Sequence, residues 1–235
     1  MDLLNRYRAG DYLTVWDELR NGDAEPTEAA AVCDATMQRV SENVDVIVDY
    51  LDATGYRFAY PDLRRHPPTP DDLHALDNLH ARVGAIPSAL RSCLAIVGEV
   101  WLCGTFSDSD PPMFAFEDLS GYPMMTDPLV LPSGAWVDTE LQEWDSNDWS
   151  EPKRPWRLDF APDELHKAGI SGATHDLLLP DENLDPVLLG VEGRSGITLV
   201  EYLRVSMTWG GFPGFQFIGR RPPLVEALQQ QLQPF

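Results

Sequence analysis

The clearest hydrophobic pattern in the chain lies between residues 26 and 55, where apolar side chains recur every three or four positions. That spacing places them on one face of an α-helix. Pro26 suits the first turn of a helix and Gly55 suits a C-terminal cap, so the pattern predicts one long helix. Its predicted buried face consists of Cys33, Met37, Val40, Val44, Ile47, Val48 and Leu51. Residues 56–60 then alternate large apolar with small or polar side chains, which predicts a short strand.

Helical spacing bounded by capping residues predicts further helices along the chain. Asp11 is placed to cap a helix over residues 12–21, and Thr69 to cap a helix that runs through Arg82. The second of these has a predicted core edge of Leu73, Leu76, Leu79 and Val83. Residues 89–97 and 222–232 also have helical spacing.

Residues 199–217, which we call the closing segment, begin as an amphipathic helix and end in a turn rich in glycine and aromatic residues. Thr198 and Glu201 have the spacing of a capping box, and Gly210-Gly211 predicts the end of the helix. The rings of Trp209, Phe212, Phe215 and Phe217 are predicted to fold onto one patch. A loop this apolar favours packing on a sheet or helix formed earlier in the chain over a role in ligand binding.

Strand patterns are interspersed with the helices. Residues 98–104, 156–160 and 175–179 have strand-like patterns, and residues 105–159 are rich in Pro, Gly and Asp, which is typical of short antiparallel strands and irregular loops. The elements together predict an α+β fold with a mixed or antiparallel sheet flanked by helices. The four prolines of residues 61–70 predict a boundary. Residues 1–60 form a helical segment that ends in a short strand and packs on the core, and residues 61–235 form the α+β domain.

Charge narrows the choice of partner. The chain has 17 basic and 38 acidic residues and a formal net charge of −21. A field of that sign repels phosphate backbones and anionic lipid, which counts against nucleic acid or a membrane surface, and it attracts a basic protein. The three cysteines are widely spaced in apolar surroundings, which predicts buried thiols, and no apolar window reaches the length of a membrane span. A cytoplasmic protein is expected.

The sequence contains no motif that assigns a reaction. No pair of histidines has the spacing of HExxH, and neither a GxSxG elbow nor a Walker A loop occurs. Carboxylate pairs are too numerous for one to be chosen as an acid/base couple. The sequence therefore predicts no metal site, no cofactor and no catalytic residue.

The most unusual local charge lies at residues 138–151, DTELQEWDSNDWSE, with six acids, two tryptophans and no basic residue. One interpretation is a solvated helix followed by a loop. The other is an acidic surface for a Lys/Arg-rich partner, with tryptophan as an anchor. The candidate partner-binding residues are Asp138, Glu140, Glu143, Trp144, Asp145, Asp148, Trp149 and Glu151. Asp181, Glu182 and Asp185 are candidates to extend this surface.

Several segments together resemble the SUKH superfamily, the cell-wall-assembly-regulator-like group of bacterial proteins. They are IPSAL at 86–90, VGEVWL at 97–102, DPL at 127–129, WRLDFAPD at 156–163 with Lys167 and Ser171-Gly172, YLR at 202–204 and WGGFPG at 209–214. The resemblance covers residues 71–217 and leaves the first helices outside the superfamily's minimal core. It implies an α+β fold without enzyme activity. Many members are similar to immunity proteins that neutralise toxins of contact-dependent or polymorphic secretion systems.

Two functions therefore follow as expectations. The first is an acidic, non-enzymatic binding protein that neutralises a basic toxin. The alternative is an enzyme of unknown class, with a site built from loop carboxylates and His166 or His175, in a pocket of titratable groups. A third interpretation makes the first 55 residues an adaptor or a dimerisation element.

Overall fold

The computed structural model describes residues 2–22, 24–106, 126–146, 155–169, 171–218 and 222–235, and the backbone of two short strands between residues 106 and 126. It is an α+β protein. The α-helices are α1 (Leu3–Arg8), α2 (Tyr12–Arg20), α3 (Pro26–Ala53), α4 (Pro70–Val83), α5 (Ser88–Ser92), α6 (Gly134–Ser146), α7 (Glu164–Lys167), α8 (Leu199–Thr208) and α9 (Pro223–Gln229). A π-helical turn, Cys93–Val97, continues α5, and a 3₁₀-helix, Pro213–Ile218, follows α8.

The strands are short and antiparallel. They are β1 (Arg57–Phe58), β2 (Arg65–His66), β3 (Glu99–Trp101), β4 (Gly104–Thr105), β5 (Phe116–Glu117), β6 (Pro123–Met124), β7 (Val130–Leu131), β8 (Trp156–Pro162) and β9 (Thr174–Leu179). Within the described part of the chain they form the sheets β1-β4, β2-β3-β7, β5-β6 and β8-β9. The longest pairing, β8 with β9, starts from Trp156 opposite Leu179 and contains an irregularity between Asp159 and Ala161.

The predicted long helix is α3, 28 residues from Pro26 to Ala53. All seven residues predicted for its inner face are buried, as helical periodicity requires. They belong to one hydrophobic cluster that extends from Leu3 to Phe235. Residues of the predicted N-terminal segment therefore share their core with the rest of the chain.

Polar contacts also join the N-terminal helices to the later chain. The indole Nε1 of Trp16 on α2 donates to Thr36 Oγ1 on α3 at 3.1 Å. Arg20, at the end of α2, reaches Asp185 with its Nη2 atom 3.0 Å from Oδ2. Asp185 in turn accepts a hydrogen bond from the backbone N–H of Val200 at 3.0 Å. One buried carboxylate thus links α2 to the first turn of α8.

The closing segment packs as the sequence predicts. Thr198 and Glu201 form the predicted capping box at the start of α8. Past the helix, the carbonyl of Gly211 accepts from the N–H of Leu129 at 2.8 Å, and the N–H of Gly214 donates to the carbonyl of Thr126 at 2.9 Å. The turn is therefore bonded to the stretch that leads into β7, and its packing role is confirmed.

Several local predictions differ from the structure. Phe212 and Phe215 are fully buried, but Phe217 is 58% exposed and does not join their patch. Leu73 is 46% exposed, because the inner face of α4 is formed by Ala75, Leu76 and Leu79. The Asp11 side chain makes no capping hydrogen bond to α2 and pairs with Arg6 at 2.8 Å instead.

Two further sequence expectations agree with the structure. Cys33, Cys93 and Cys103 are all free and buried. Burial raises the pKa of each of these thiols to about 12. Within the described ranges, no helix combines the length and the apolar character needed to cross a bilayer.

We expect Gly211→Val to destabilise the protein by about 2–5 kcal/mol, from backbone strain and overpacking together. Gly211 has a φ of +89°, and a Cβ atom there would lie 2.6 Å from Leu102 Cδ1. Urea denaturation would measure the loss. Gly55→Val is the matched control, because Gly55 has a φ of +81° but no atom within 4 Å of the added Cβ. Equal losses in the two variants would contradict the packing role of the closing segment.

Candidate functional site

The acidic candidate surface is carried by α6, and the position of α6 is set by α4. The buried side chains of α6 are Val137 and Leu141, four positions apart, which gives the helix one inner face. Asp72, in the first turn of α4, accepts a hydrogen bond at its Oδ1 from the N–H of Ala135 at 2.9 Å. The same carboxylate belongs to the capping box of α4 with Thr69. One aspartate therefore caps both helices and fixes where α6 begins.

Arg82, at the far end of α4, partly neutralises this surface. Its Nη1 lies 3.2 Å from Asp138 Oδ1, and its Nη2 lies 2.6 Å from Asp145 Oδ2. Two of the predicted partner-binding carboxylates are therefore held within the protein by one guanidinium group. They orient α6 on α4 and contribute less free charge than the sequence suggests.

Glu140 and Glu143 are not paired in this way. In the described part of the chain, neither lies within salt-bridge distance of a basic residue. Partial burial raises the pKa of Glu140, and the negative charges of Glu143 and of Asp159 on β8 raise it further. Burial and the nearby Asp176 likewise raise the pKa of Asp159. We call Glu140, Glu143 and Asp159 the acidic cluster. Within it, the charges of Glu143 and Asp159 disfavour the ionised form of Glu140.

The other predicted residues are placed differently. Trp144, the predicted anchor, is only partly exposed and packs against the hydrophobic core. Trp136 on the same helix is the more exposed indole, at 36%. Asp148, Trp149 and Glu151 lie outside the described residues. Asp185 does not extend the surface, because it is buried against Arg20.

A second group of charged residues is buried, and the sequence does not predict it. Lys167 Nζ lies 2.6 Å from Asp127 Oδ1 and 3.4 Å from the Tyr202 hydroxyl. His175 Nε2 lies 3.6 Å from the same Asp127 oxygen, too far for a hydrogen bond but close enough for electrostatic attraction. The side chains of Lys167 and His175 are 0% exposed. We call Asp127, Lys167, His175 and Tyr202 the buried network.

Electrostatics in this network favour the ion pair. Burial opposes the charge of Asp127, but Lys167 and His175 outweigh it and hold the Asp127 pKa well below its usual value. Burial likewise opposes the charge of Lys167, but Asp127 outweighs it and raises the Lys167 pKa above its usual value. Burial, followed by the Asp127 charge, raises the pKa of Tyr202 to about 12. Lys167 is therefore a cation and Asp127 an anion at neutral pH.

The elements around the buried network explain why these side chains meet. Asp127 has a φ of +47°, a left-handed conformation that aspartate adopts more readily than most residues. Lys167 ends α7, whose N-terminus is capped by Asp163 accepting from His166 N at 2.8 Å. Gly172 approaches so closely that a Cβ there would lie 2.1 Å from Asp163 Oδ1. The turn chemistry predicted at Ser171-Gly172 thus positions the lysine.

The two histidines of the enzyme hypothesis lie in different environments. His166 is exposed and its Nδ1 lies 2.9 Å from the carbonyl oxygen of Ala173. His175 is fully buried, with Nδ1 3.3 Å from the carbonyl oxygen of Gly190. A substrate cannot reach the His175 ring in this conformation. Among the described residues, no three His, Cys, Asp or Glu side chains are arranged to hold a metal ion.

Comparison of the chain with protein-family models, curated proteins and solved structures yields no match. The resemblance to the SUKH superfamily therefore stays a prediction from the sequence. Functional inference depends on the acidic cluster, the buried network and the surface around them.

We expect Lys167→Met to destabilise the protein by about 3–5 kcal/mol, because it leaves the Asp127 charge buried and unpaired. The double variant Lys167→Met/Asp127→Asn should recover much of this loss, since asparagine also tolerates the left-handed conformation. Urea denaturation of the single and double variants measures the coupling. Arg91→Gln, which removes the exposed ion pair with Asp77, is the control and should cost at most about 1 kcal/mol.

The loss of stability caused by Lys167→Met should also depend on pH. In the wild type the folded-state pKa of Asp127 is lowered, so its stabilisation is present above the unfolded pKa and is lost as the pH falls toward the lowered value. Without Lys167, burial raises that pKa, and the variant gains stability as the aspartate is protonated. The difference between wild type and Lys167→Met should therefore shrink from pH 7 to about pH 4. A difference independent of pH would contradict the buried ion pair.

Glu140→Gln should leave the protein as stable as the wild type or more stable, by at most about 1 kcal/mol at pH 7. The reason is that the variant removes one of the mutually repelling charges of the acidic cluster. Because the folded-state pKa of Glu140 is raised, the gain should disappear as the pH falls below the unfolded pKa of glutamate. Thermal denaturation at pH 7 and pH 4 tests both statements. A destabilised variant at pH 7 would show that Glu140 is paired.

Proposed function

We propose that this protein is a non-enzymatic binding protein that neutralises a basic toxin of a polymorphic or contact-dependent system. The partner binds at the outer surface of α6 and β8. The observation that carries the proposal is the acidic cluster, where the charges of Glu143 and Asp159 add to partial burial in raising the pKa of Glu140, and the two glutamates form no ion pair within the described chain.

A basic partner offsets the repulsion between the carboxylates of this cluster. A lysine or arginine placed among the three carboxylates stabilises their ionised forms, so the repulsion present in the free protein becomes attraction in the complex. Trp136, exposed on the same helix, offers an aromatic ring for stacking with arginine. In this proposal Trp136 is the tryptophan that anchors the partner, in place of the candidate Trp144.

The net charge of the chain supports the same kind of partner. A formal charge of −21 accelerates association with a positively charged protein and weakens association with nucleic acid. Toxins that act on nucleic acid carry basic surfaces that bind phosphate groups. An acidic binding protein can occupy the same basic surface and so compete with the nucleic acid. The resemblance to the SUKH superfamily points to this type of pair.

The buried network has a structural role in this proposal. Lys167, His175 and Tyr202 are inaccessible to solvent, and Lys167 is held by Asp127 in an ion pair that favours its charged form. A catalytic lysine base requires a lowered pKa and access to substrate. Lys167 instead has a raised pKa, and its side chain is closed off from solvent.

Co-expression with the toxin encoded next to the gene tests the proposal. Wild-type protein should protect the cells. Glu140→Gln/Glu143→Gln should protect poorly and bind the toxin about tenfold or more weakly at low salt, since two unpaired charges are lost. Titration calorimetry at two salt concentrations measures the binding.

The control is Glu192→Gln/Glu226→Gln, which removes the same charge from exposed positions outside α6 and β8. It should protect as the wild type does. Cell death with the wild-type protein and no complex at low salt would overturn the function. If both double variants fail equally to protect the cells, toxin binding depends on the net charge of the protein and not on the acidic cluster.

A further inference from the structure

An open groove lies between α2, the turn at residues 194–197 and α8, and it has a volume of about 600 Å³. A volume of this size suits a small molecule. Its charged lining includes three guanidinium groups, from Arg20, Arg194 and Arg204. The chain as a whole has 17 basic and 38 acidic residues. The lining of this groove has more basic than acidic side chains, three arginines against Asp17 and Glu201.

The carboxylates of the groove are engaged by only one of the three arginines. Arg20 Nη1 lies 3.2 Å from Glu201 Oε1 and 3.7 Å from Asp17 Oδ1. Its Nη2 pairs with the buried Asp185 at 3.0 Å. Among the described residues, no Asp or Glu side chain lies within salt-bridge distance of the other two arginines.

Arg194 and Arg204 are held in place by backbone oxygens. Arg194 Nη2 donates to the carbonyl of Pro213 at 2.8 Å, and its guanidinium stacks on the Phe217 ring at 4.7 Å. Arg204 Nε donates to the backbone oxygen of Phe235 at 2.9 Å. These contacts fix the two guanidinium groups without an Asp or Glu partner in the described chain.

Each of these arginines also has a buried nitrogen without a hydrogen-bond partner in the described residues. The atoms are Arg194 Nε and Arg204 Nη2. Buried polar groups are satisfied in most proteins, and a charged donor left unsatisfied is costly. Burial lowers the pKa of Arg204, and the charge of Arg20 lowers it further. An anion in the groove screens the repulsion between the arginines.

The remaining lining is apolar. Leu13 is 67% exposed, and Ile197 and Val205 also face the groove. A ligand that fits both parts has a charged head beside an apolar body.

We propose that this groove binds a small organic anion whose carboxylate or phosphate head is held by Arg194 and Arg204 and whose apolar body lies along Leu13 and Val205. Planar guanidinium groups match the geometry of both head groups. The site shares no lining residue with the acidic cluster and does not depend on the proposed toxin binding.

Titration calorimetry of the full chain with defined probes tests the proposal. Octanoate should bind, and acetate should bind at least about tenfold more weakly because it lacks the apolar body. Octyl phosphate in place of octanoate distinguishes the two head groups, and tighter binding of either supports the site. Failure of both octyl compounds to bind overturns it.

Arg194→Gln is the primary variant, since Arg204 also stacks on the buried Trp16 ring at 5.9 Å. Arg194→Gln should weaken octanoate binding about tenfold or more through the loss of a charge-assisted contact. Arg91→Gln removes the same charge at an exposed position outside the groove and should bind as the wild type does. Equal weakening in both variants overturns the site. Leu13→Ser should weaken octanoate but not acetate, and the reverse result overturns the assignment of the apolar body.

Discussion

The buried ion pair between Lys167 and Asp127 is the constraint on which much of this structure depends. A single unpaired charge in this position costs several kcal/mol, so each residue stabilises the burial of the other. The pair joins α7 to the stretch before β7, with His175 of β9 and Tyr202 of α8 packed around it. Residues distant in sequence must therefore assemble together. The closing segment bonds to the same stretch at Thr126 and Leu129, so the ion pair and the end of α8 support each other.

A second buried carboxylate, Asp185, joins the N-terminal helices to the later part of the chain in a similar way. Asp185 accepts from the first turn of α8 and pairs with Arg20 of α2. Burial raises the Asp185 pKa, and the hydrogen bonds and Arg20 oppose that effect. Several of the few cations in the chain are thus used inside the protein, as Arg82 is between α4 and α6. Each of these internal pairs removes at least one carboxylate together with the cation. The formal charge of −21 is therefore carried by the acidic residues that exceed the basic ones, 38 against 17.

Features that depend on local sequence could be predicted, and features that depend on long-range contacts could not. The length of α3, the capping box of α8 and the alternation along β8 each arise from the spacing of neighbouring residues. Burial of Lys167 depends on a partner 40 positions away, and nothing in the pattern around it indicates that pairing. The candidate surface shows the same division. Sequence locates the acids of α6, but the tertiary contacts of Arg82 decide which remain unpaired, and packing partly buries Trp144.

Internal pairing also distinguishes structural from functional charge in this molecule. Where a charge is fully paired and buried, as in Lys167 with Asp127, the protein already satisfies it and an outside ligand has nothing to add. Where pairing is incomplete, the free protein retains an unfavourable interaction that only another molecule can remove. The acidic cluster of Glu140, Glu143 and Asp159 retains repulsion between carboxylates, and Arg194 Nε and Arg204 Nη2 are buried donors without an acceptor among the described residues. The two features carry charge of opposite sign. The ligands that we propose for them differ accordingly, a cation-rich protein for the acidic cluster and a small anion for the groove, and neither ligand competes for the other's site.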